Sequence, residues 1–402
     1  MKEVVILGAG YAGLRALHVL QASKEAFHIT LVDRHSYHYE STSLHEVAAG
    51  TQSKEKITYD IQDVVDSQKT TFLEDEVTKI NRDSKTVHLK SGKELTYDYL
   101  VVSLGFQSET FGIPGASENA LQMVDIDSAV KVNDHLKEKM AEYAQTKNED
   151  DLKIVVCGAG FTGIELLGAL VESRPSLAKI AGVKPEEIQL YCIEAVTRLL
   201  PMFDEKLGNY GIDHLVDWGV HFLTGKPIKE IKPGSVVYQV DKETGATEEL
   251  AAQSIIWTTG VSGSHVMADS DFEQRRGRVM VSSDLTDPSH SEVYIVGDVS
   301  AVMDKESNRP YPTTAQIALK MGDWAGKNIL RQLKGEATQP FTFKSLGSVA
   351  SIGNTHAFGV VGKTPVKGYP ASFIKKAIMD RSLFETGGVK EVLSKGRFDF
   401  YH

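Results

Sequence analysis

Two stretches of this chain are built on one pattern. Val4 to Leu17 reads VVILGAGYAGLRAL, and Ile154 to Leu170 reads IVVCGAGFTGIELLGAL. Each is a short apolar run, then G-A-G-aromatic-x-G, then apolar residues at helical spacing, which predicts strand, tight turn and helix. The first glycine of each (Gly8, Gly158) permits the turn. The second (Gly10, Gly160) lets the backbone approach a pyrophosphate, and the third (Gly13, Gly163) lets the helix pack closely on the strand. The N–H groups of the helix start, at the positive end of its dipole, then hold phosphate. An acid closes the strand after each turn: Asp33 in FHITLVD and Glu194 in IQLYCIE. Such a carboxylate accepts hydrogen bonds from both ribose hydroxyls and repels a 2′-phosphate. Glu194 therefore predicts NADH over NADPH, with Arg198, four residues on, acting against it. Tyr11, Ala12 and Arg34 around the first turn, and Phe161 and Thr162 in the second, complete the expected cofactor contacts. Two fingerprints in strand-turn-helix context predict two dinucleotides bound at once, with electrons passing between them.

The duplication also sets the fold class. Each copy is a βαβ unit, so the expectation is α/β, with two Rossmann-like domains built on mostly parallel sheets. The first unit is read as resuming late, through SIIWTTG (Ser254 to Gly260) and EVYIVGD (Glu292 to Asp298). The second domain is then inserted in the first: 1–113 and 253–330 bind one cofactor, 114–252 the other, and 331–402 form a C-terminal region. A chain of 402 residues has room for these. Met140 to Lys153 is expected to be an exposed connection and Val240 to Leu250 a hairpin turn. Short strands are expected around Phe341–Phe343 and Gly347–Ile352. A net charge of −10 argues against a nucleic-acid partner. The two cysteines, Cys157 and Cys192, sit in apolar strand-like runs, which suggests a reducing cytoplasm and no disulfide framework. The N-terminus enters a strand at once, so no signal peptide is expected. No apolar run approaches the ~18–20 residues that cross a bilayer. His35, His38 and His45 have no metal-ligand spacing and are read as structural, so no metal is expected.

Gly297-Asp298 resembles the segment by which many flavoproteins hold the ribitol of FAD. YLVVSLG (Tyr99 to Gly105) and IIWTTG (Ile255 to Gly260) resemble the linking strands of the two-dinucleotide-binding-domain flavoproteins. The resemblance implies non-covalent FAD at the Gly8 turn, with Gly105 and Asp298, and NADH at the Gly158 turn, with Gly260. The stretch His35 to Gly50 has no cysteine, against a disulfide reductase or a sulfide:quinone reductase. TTAQIALKMG (Thr313 to Gly322) makes the chain resemble the type II NADH:quinone oxidoreductases. That likeness implies a peripheral membrane flavoprotein on the cytoplasmic face, a homodimer, reducing menaquinone or ubiquinone without pumping protons. Ala315-Gln316 matches the family's quinone-site motif, while Lys320 stands where a second glutamine is usual. Pro312 with Thr313 or Thr314 makes a helix start, from which Gln316 offers its amide to a quinone carbonyl. Glu165 is expected near nicotinamide and flavin, and Lys376 near the quinone entrance; Glu172 is read as a solvated helix residue.

The C-terminal stretch has Phe373, Ile374, Ala377, Ile378 and Met379 at helical spacing, a break at Gly387-Gly388, and a second short helix. Between Lys363 and Arg397 lie eight basic and three acidic residues. A basic amphipathic helix pair on an acidic protein suits an anionic membrane surface. Two other readings compete: a soluble NADH-dependent ferredoxin or oxygen reductase, and an FAD-binding redox-signalling protein of apoptosis-inducing-factor type.

Overall fold

The computed structural model describes residues 1–304 and 308–398. Residues 305–307 of the expected first domain and 399–402 of the expected C-terminal region lie outside the described residues. Two five-stranded parallel sheets carry the chain, and they share one plan. In the first, the order is Val293–Ile295, Tyr99–Val102, Lys2–Leu7, Phe27–Asp33, Thr70–Glu74. In the second it is Leu121–Gln122, Ser254–Trp257, Lys153–Cys157, Gln189–Glu194, Val220–Thr224. The strand leading into each glycine turn is central, covered by helices on one face and by an antiparallel meander on the other, which is why its residues are apolar on both faces. Each sheet is followed by a three-stranded antiparallel meander, over 77–96 and 228–251. The turn expected between Val240 and Leu250 closes the second of these.

Sheet membership moves one boundary. Ser254–Trp257 was expected in the resumed first unit, but it pairs with Lys153–Cys157 and belongs to the second. A run buried on both faces looks alike in either sheet, so composition could not assign it. The crossing between the units is instead a two-stranded ribbon, Phe106–Ser108 against Val261–Gly263. Met140 to Thr146, expected to be exposed connection, is the end of helix Ile126–Thr146, with Met140 and Tyr143 buried in the second core. Its polar side faces solvent, and that side dominated the sequence reading.

Helix Ala315–Leu333 lies along helix Tyr11–Gln21. Close approach is set by Gly322 and Gly326: a Cβ on Gly322 would stand 2.1 Å from the Ala12 carbonyl oxygen, and one on Gly326 2.9 Å from Val19. Arg15 and Asp323 pair across the contact at 2.7 Å. In the C-terminal region, Gly347–Ile352, His356–Val361 and Thr364–Gly368 form an antiparallel sheet. Phe341 to Phe343 is no strand. Phe341 packs into the first core, edge-on to Tyr311 and Trp324.

The last helix, Tyr369–Lys395, is broken at Gly388, whose φ of 74° and ψ of −169° are not helical. Some basic residues of this stretch dock it on the rest of the chain: Lys375 pairs with Glu165, Lys390 with Asp63 and, just past the helix, Arg397 with Glu46. Arg381 pairs within the helix, with Glu385, and stays exposed. Lys395 donates to the Glu55 carbonyl. The sequence count of basic residues therefore overstates the charge left for a surface. Ile378, Phe384, Val389 and Leu393 remain exposed.

Candidate functional site

The two glycine turns agree hydrogen bond by hydrogen bond. Ala9 N–H donates to Asp33 at 2.6 Å and His35 N–H at 2.9 Å. Ala159 N–H donates to Glu194 at 2.8 Å and Val196 N–H at 3.1 Å. Gly8 and Gly158 hold left-handed φ values of +95° and +104°. A Cβ on Gly13 would lie 1.9 Å from the Gly8 carbonyl oxygen, and one on Gly163 2.0 Å from that of Gly158, so both third positions admit only glycine. A Cβ on Gly10 or Gly160 would meet nothing within 4 Å. That is open space beside a helix N-terminus, the shape a pyrophosphate needs. The turns share one further brace. Ser103 Oγ donates to Leu7 O (2.7 Å) and Gly8 O (3.0 Å), and Thr258 Oγ1 to Cys157 O (2.8 Å) and Gly158 O (3.2 Å). Neither hydroxyl is among the site residues expected from sequence. The signal was present: each opens the S-L-G or T-T-G that ends a linking strand.

A cleft runs from the first turn past Asp33, Arg34 and Gly105 to Asp298. It brings together most of the residues expected at the flavin, Tyr11 and Ala12 included. Ala315 and Gln316 open the helix whose Ala318 lines the same cleft. Burial pushes the Asp298 carboxyl up to about 6, against the opposing pull of Arg278. No donor reaches that carboxyl among the described residues. An acceptor aimed into a cleft without a partner fits the hydroxyl-rich chain of FAD. Arg34 instead reaches Asp125 at 3.1 Å. Tyr11 donates its hydroxyl to buried Glu40 at 2.8 Å, and His38 Nδ1 lies 2.8 Å from Ala9 O. Both bonds brace the cleft wall. In the second unit Phe161 packs edge-on to Phe203, 5.6 Å between centroids, and Thr162 is exposed.

Glu165 lies one turn into helix Phe161–Ala181 and is buried. One oxygen, Oε1, takes Lys375 Nζ at 2.7 Å, Ser351 N–H at 3.0 Å and Ser351 Oγ at 3.2 Å. These partners hold its carboxyl below the usual range, although burial alone would raise it. Lys375 is thus the lysine the structure brings to Glu165. Lys376, the residue singled out by sequence, is buried and acts on Glu172. Glu172, on the exposed side, accepts Asn354 N–H at 2.5 Å.

Gln316 follows the Thr314 cap, whose hydroxyl accepts Ile317 N–H at 3.3 Å. Its carbonyl oxygen accepts Leu346 N–H at 3.0 Å, which leaves the NH₂ end to donate. Leu346 and Ser351 bracket strand Gly347–Ile352. That one strand therefore holds Gln316 at one end and Glu165 at the other, about 16 Å apart along the backbone. It is seated on the Glu165 helix by Gly168, where a Cβ would stand 2.4 Å from Gly353 N. Lys320 lies exposed, 5.3 Å over the Trp324 ring. Both cysteines are buried in the second unit with thiols raised by burial, so neither belongs to the cleft.

Comparison with known proteins places the whole chain beside named relatives. The family profile of pyridine nucleotide-disulphide oxidoreductases matches residues 2–322. A type II NADH:quinone oxidoreductase of Staphylococcus epidermidis (strain ATCC 12228) is 41% identical over 401 residues, 99% of each chain. One of Staphylococcus aureus (strain MSSA476) is also 41% identical over 99% of each chain. Among solved structures, NDH2 from Plasmodium falciparum in complex with NADH superposes with a TM-score of 0.86 at 17% identity, over the whole of both chains. A sulfide:quinone oxidoreductase from Aquifex aeolicus gives 0.78 at 20% identity, over all of this chain and 96% of that one.

Proposed function

The chain belongs to the type II NADH:quinone oxidoreductases, and from that membership we propose how its residues share the reaction. It is an FAD-dependent NADH dehydrogenase that hands the electrons of NADH to a quinone and pumps no protons. Bound FAD supplies the two-electron relay between hydride donor and quinone. The Gly8 turn holds its pyrophosphate, Asp33 the adenosine ribose and Asp298 the ribitol. The Gly158 turn and Glu194 do the same work for NADH. Gln316 donates its amide to a quinone carbonyl, at the positive end of the helix Thr314 caps. Glu165, held by Lys375 and Ser351, is the proton-carrying group at the quinone.

What supports this reading is the segment 346–352, whose backbone bonds Gln316 at Leu346 and Glu165 at Ser351. No described helix is long and apolar enough to cross a membrane. The exposed row Ile378, Phe384, Val389 and Leu393 supports contact with a lipid surface, and favours a membrane quinone (menaquinone or ubiquinone) over a soluble acceptor. NADH as donor puts that contact on the cytoplasmic face. On the resemblance, the same reading takes the protein as a homodimer.

The test is NADH oxidation by the purified protein with a short-chain quinone, with a ferredoxin, or with oxygen alone. Quinone-dependent turnover well above the other two is expected, with NADPH a much poorer donor. Turnover only with ferredoxin discards the reading.

A further inference from the structure

We propose that His45 is the positioning residue through which Glu165 takes up the proton that completes quinone reduction. The inference rests on the quinone reading above. It starts from an asymmetry at Glu165. All three donors converge on Oε1, which anchors the side chain. Oε2 receives no hydrogen bond among the described residues. The group facing it is the His45 imidazole, Nδ1 at 4.0 Å. That gap is too long for a direct hydrogen bond and of the size one water bridges.

His45 is buried on the short helix Leu44–Ala49, which packs on the Glu165 helix. Its neighbour Glu46 is gripped by both guanidinium nitrogens of Arg397, at 2.5 and 2.6 Å. The ring is thus placed by the far end of the chain. The charged groups that face it are Glu165, Glu46, Lys375 and Arg397; burial outweighs them and holds the imidazole below its ordinary value. Burial thus favours the neutral ring.

Hydride transfer brings two electrons and one proton, and a quinol needs a second proton, which the solvent supplies. In the step proposed, an N–H bond of the His45 imidazolium breaks as the bridging water gains that proton and gives one to Glu165 Oε2. Solvent reprotonates the ring and no electrons move. The Glu165 O–H bond then breaks as an O–H bond forms on the quinone.

The experiment separates the half-reactions of the holoenzyme by stopped flow. In H45A, bleaching of the flavin by NADH is expected to stay within about twofold of wild type. Reoxidation by a short-chain quinone should slow by about tenfold or more, most at alkaline pH, and recover with added imidazole. Reoxidation at the wild-type rate overturns the inference, as does equal slowing of both half-reactions without imidazole rescue. H45Q keeps the ring's volume and serves if H45A loses flavin. In an E165Q background H45Q should add no further slowing, and an additive loss overturns the inference. A wild-type flavin that quinone cannot reoxidise overturns the quinone reading itself, a result distinct from a normal wild type beside an unaffected variant.

Discussion

Asp298 illustrates what a binding cleft costs a single residue. Its carboxyl is buried without a donor, and its value lies near 6 rather than in the ordinary carboxylate range. A folded value raised above the unfolded one means the protonated form stabilises the fold, and that contribution is lost as pH rises through about 6. The flavin-free protein should therefore melt at progressively lower temperature between about pH 4 and 6, the interval between the unfolded and folded values, and level off above it. Asp298→Asn removes the charge while keeping the shape. Its flavin-free form should melt higher than wild type at pH 7, with a flatter pH dependence. FAD affinity, read by fluorescence quenching, should fall by about 10- to 100-fold, the worth of a charge-assisted hydrogen bond. A variant that melts lower and binds FAD as before would remove Asp298 from the ribitol site.

At the scale of the element, the last helix separates two roles that its sequence blends. Its docked face carries Leu383, Thr386 and Gly387, its ion pairs reach Glu165 and Asp63, and Arg397 just past it reaches Glu46. Its outward face carries Phe384 and, past the Gly388 kink, Val389 and Leu393, the last 74% exposed. Contact with lipid then rests on apolar burial, at roughly 1.5–3 kcal/mol for each large side chain withdrawn from water. Replacing Phe384 and Leu393 with Asp together should cut co-sedimentation with anionic vesicles by about tenfold or more. Turnover with a short-chain, water-soluble quinone should be unchanged. Loss of that turnover would instead show the outward face supporting the site. The glycine turns were legible in sequence because turn and acid lie in one βαβ unit, whereas the Ser103 and Thr258 braces come from a third strand, 95 and 100 residues further on. The helix was legible in its period and its break, since Gly388 occupies a backbone region that is essentially glycine's alone. Its orientation was not, because eight basic residues look alike until their partners, scattered from Glu46 to Glu165, are placed beside them.

Over the whole molecule, the C-terminal region turns two binding domains into one enzyme. Nothing local marks Ser351, Lys375 or His45 as companions of Glu165. They come from a strand, a long helix and a short helix of three separate segments, and the packing of Gly168 under Gly353 brings the first of them home. Sequence could therefore find Glu165 and Gln316, each inside a motif, but not what joins them. The same logic makes the Arg397–Glu46 pair a global element. It ties residue 397 to the helix that carries His45, with both side chains largely buried. Removing one partner of a buried pair strands the other's charge, at about 3–5 kcal/mol, whereas replacing both with apolar residues is often close to neutral. Glu46→Gln should thus raise amide exchange across Tyr369–Lys395 by about 100-fold or more, because the helix opens locally before the sheets do. The pair Glu46→Met with Arg397→Met should restore most of the protection. If Glu46→Gln leaves exchange in that helix unaltered, the pair does not hold the C-terminal region in place, and the docking must rest on Lys390–Asp63 and the apolar contacts of Leu383 instead.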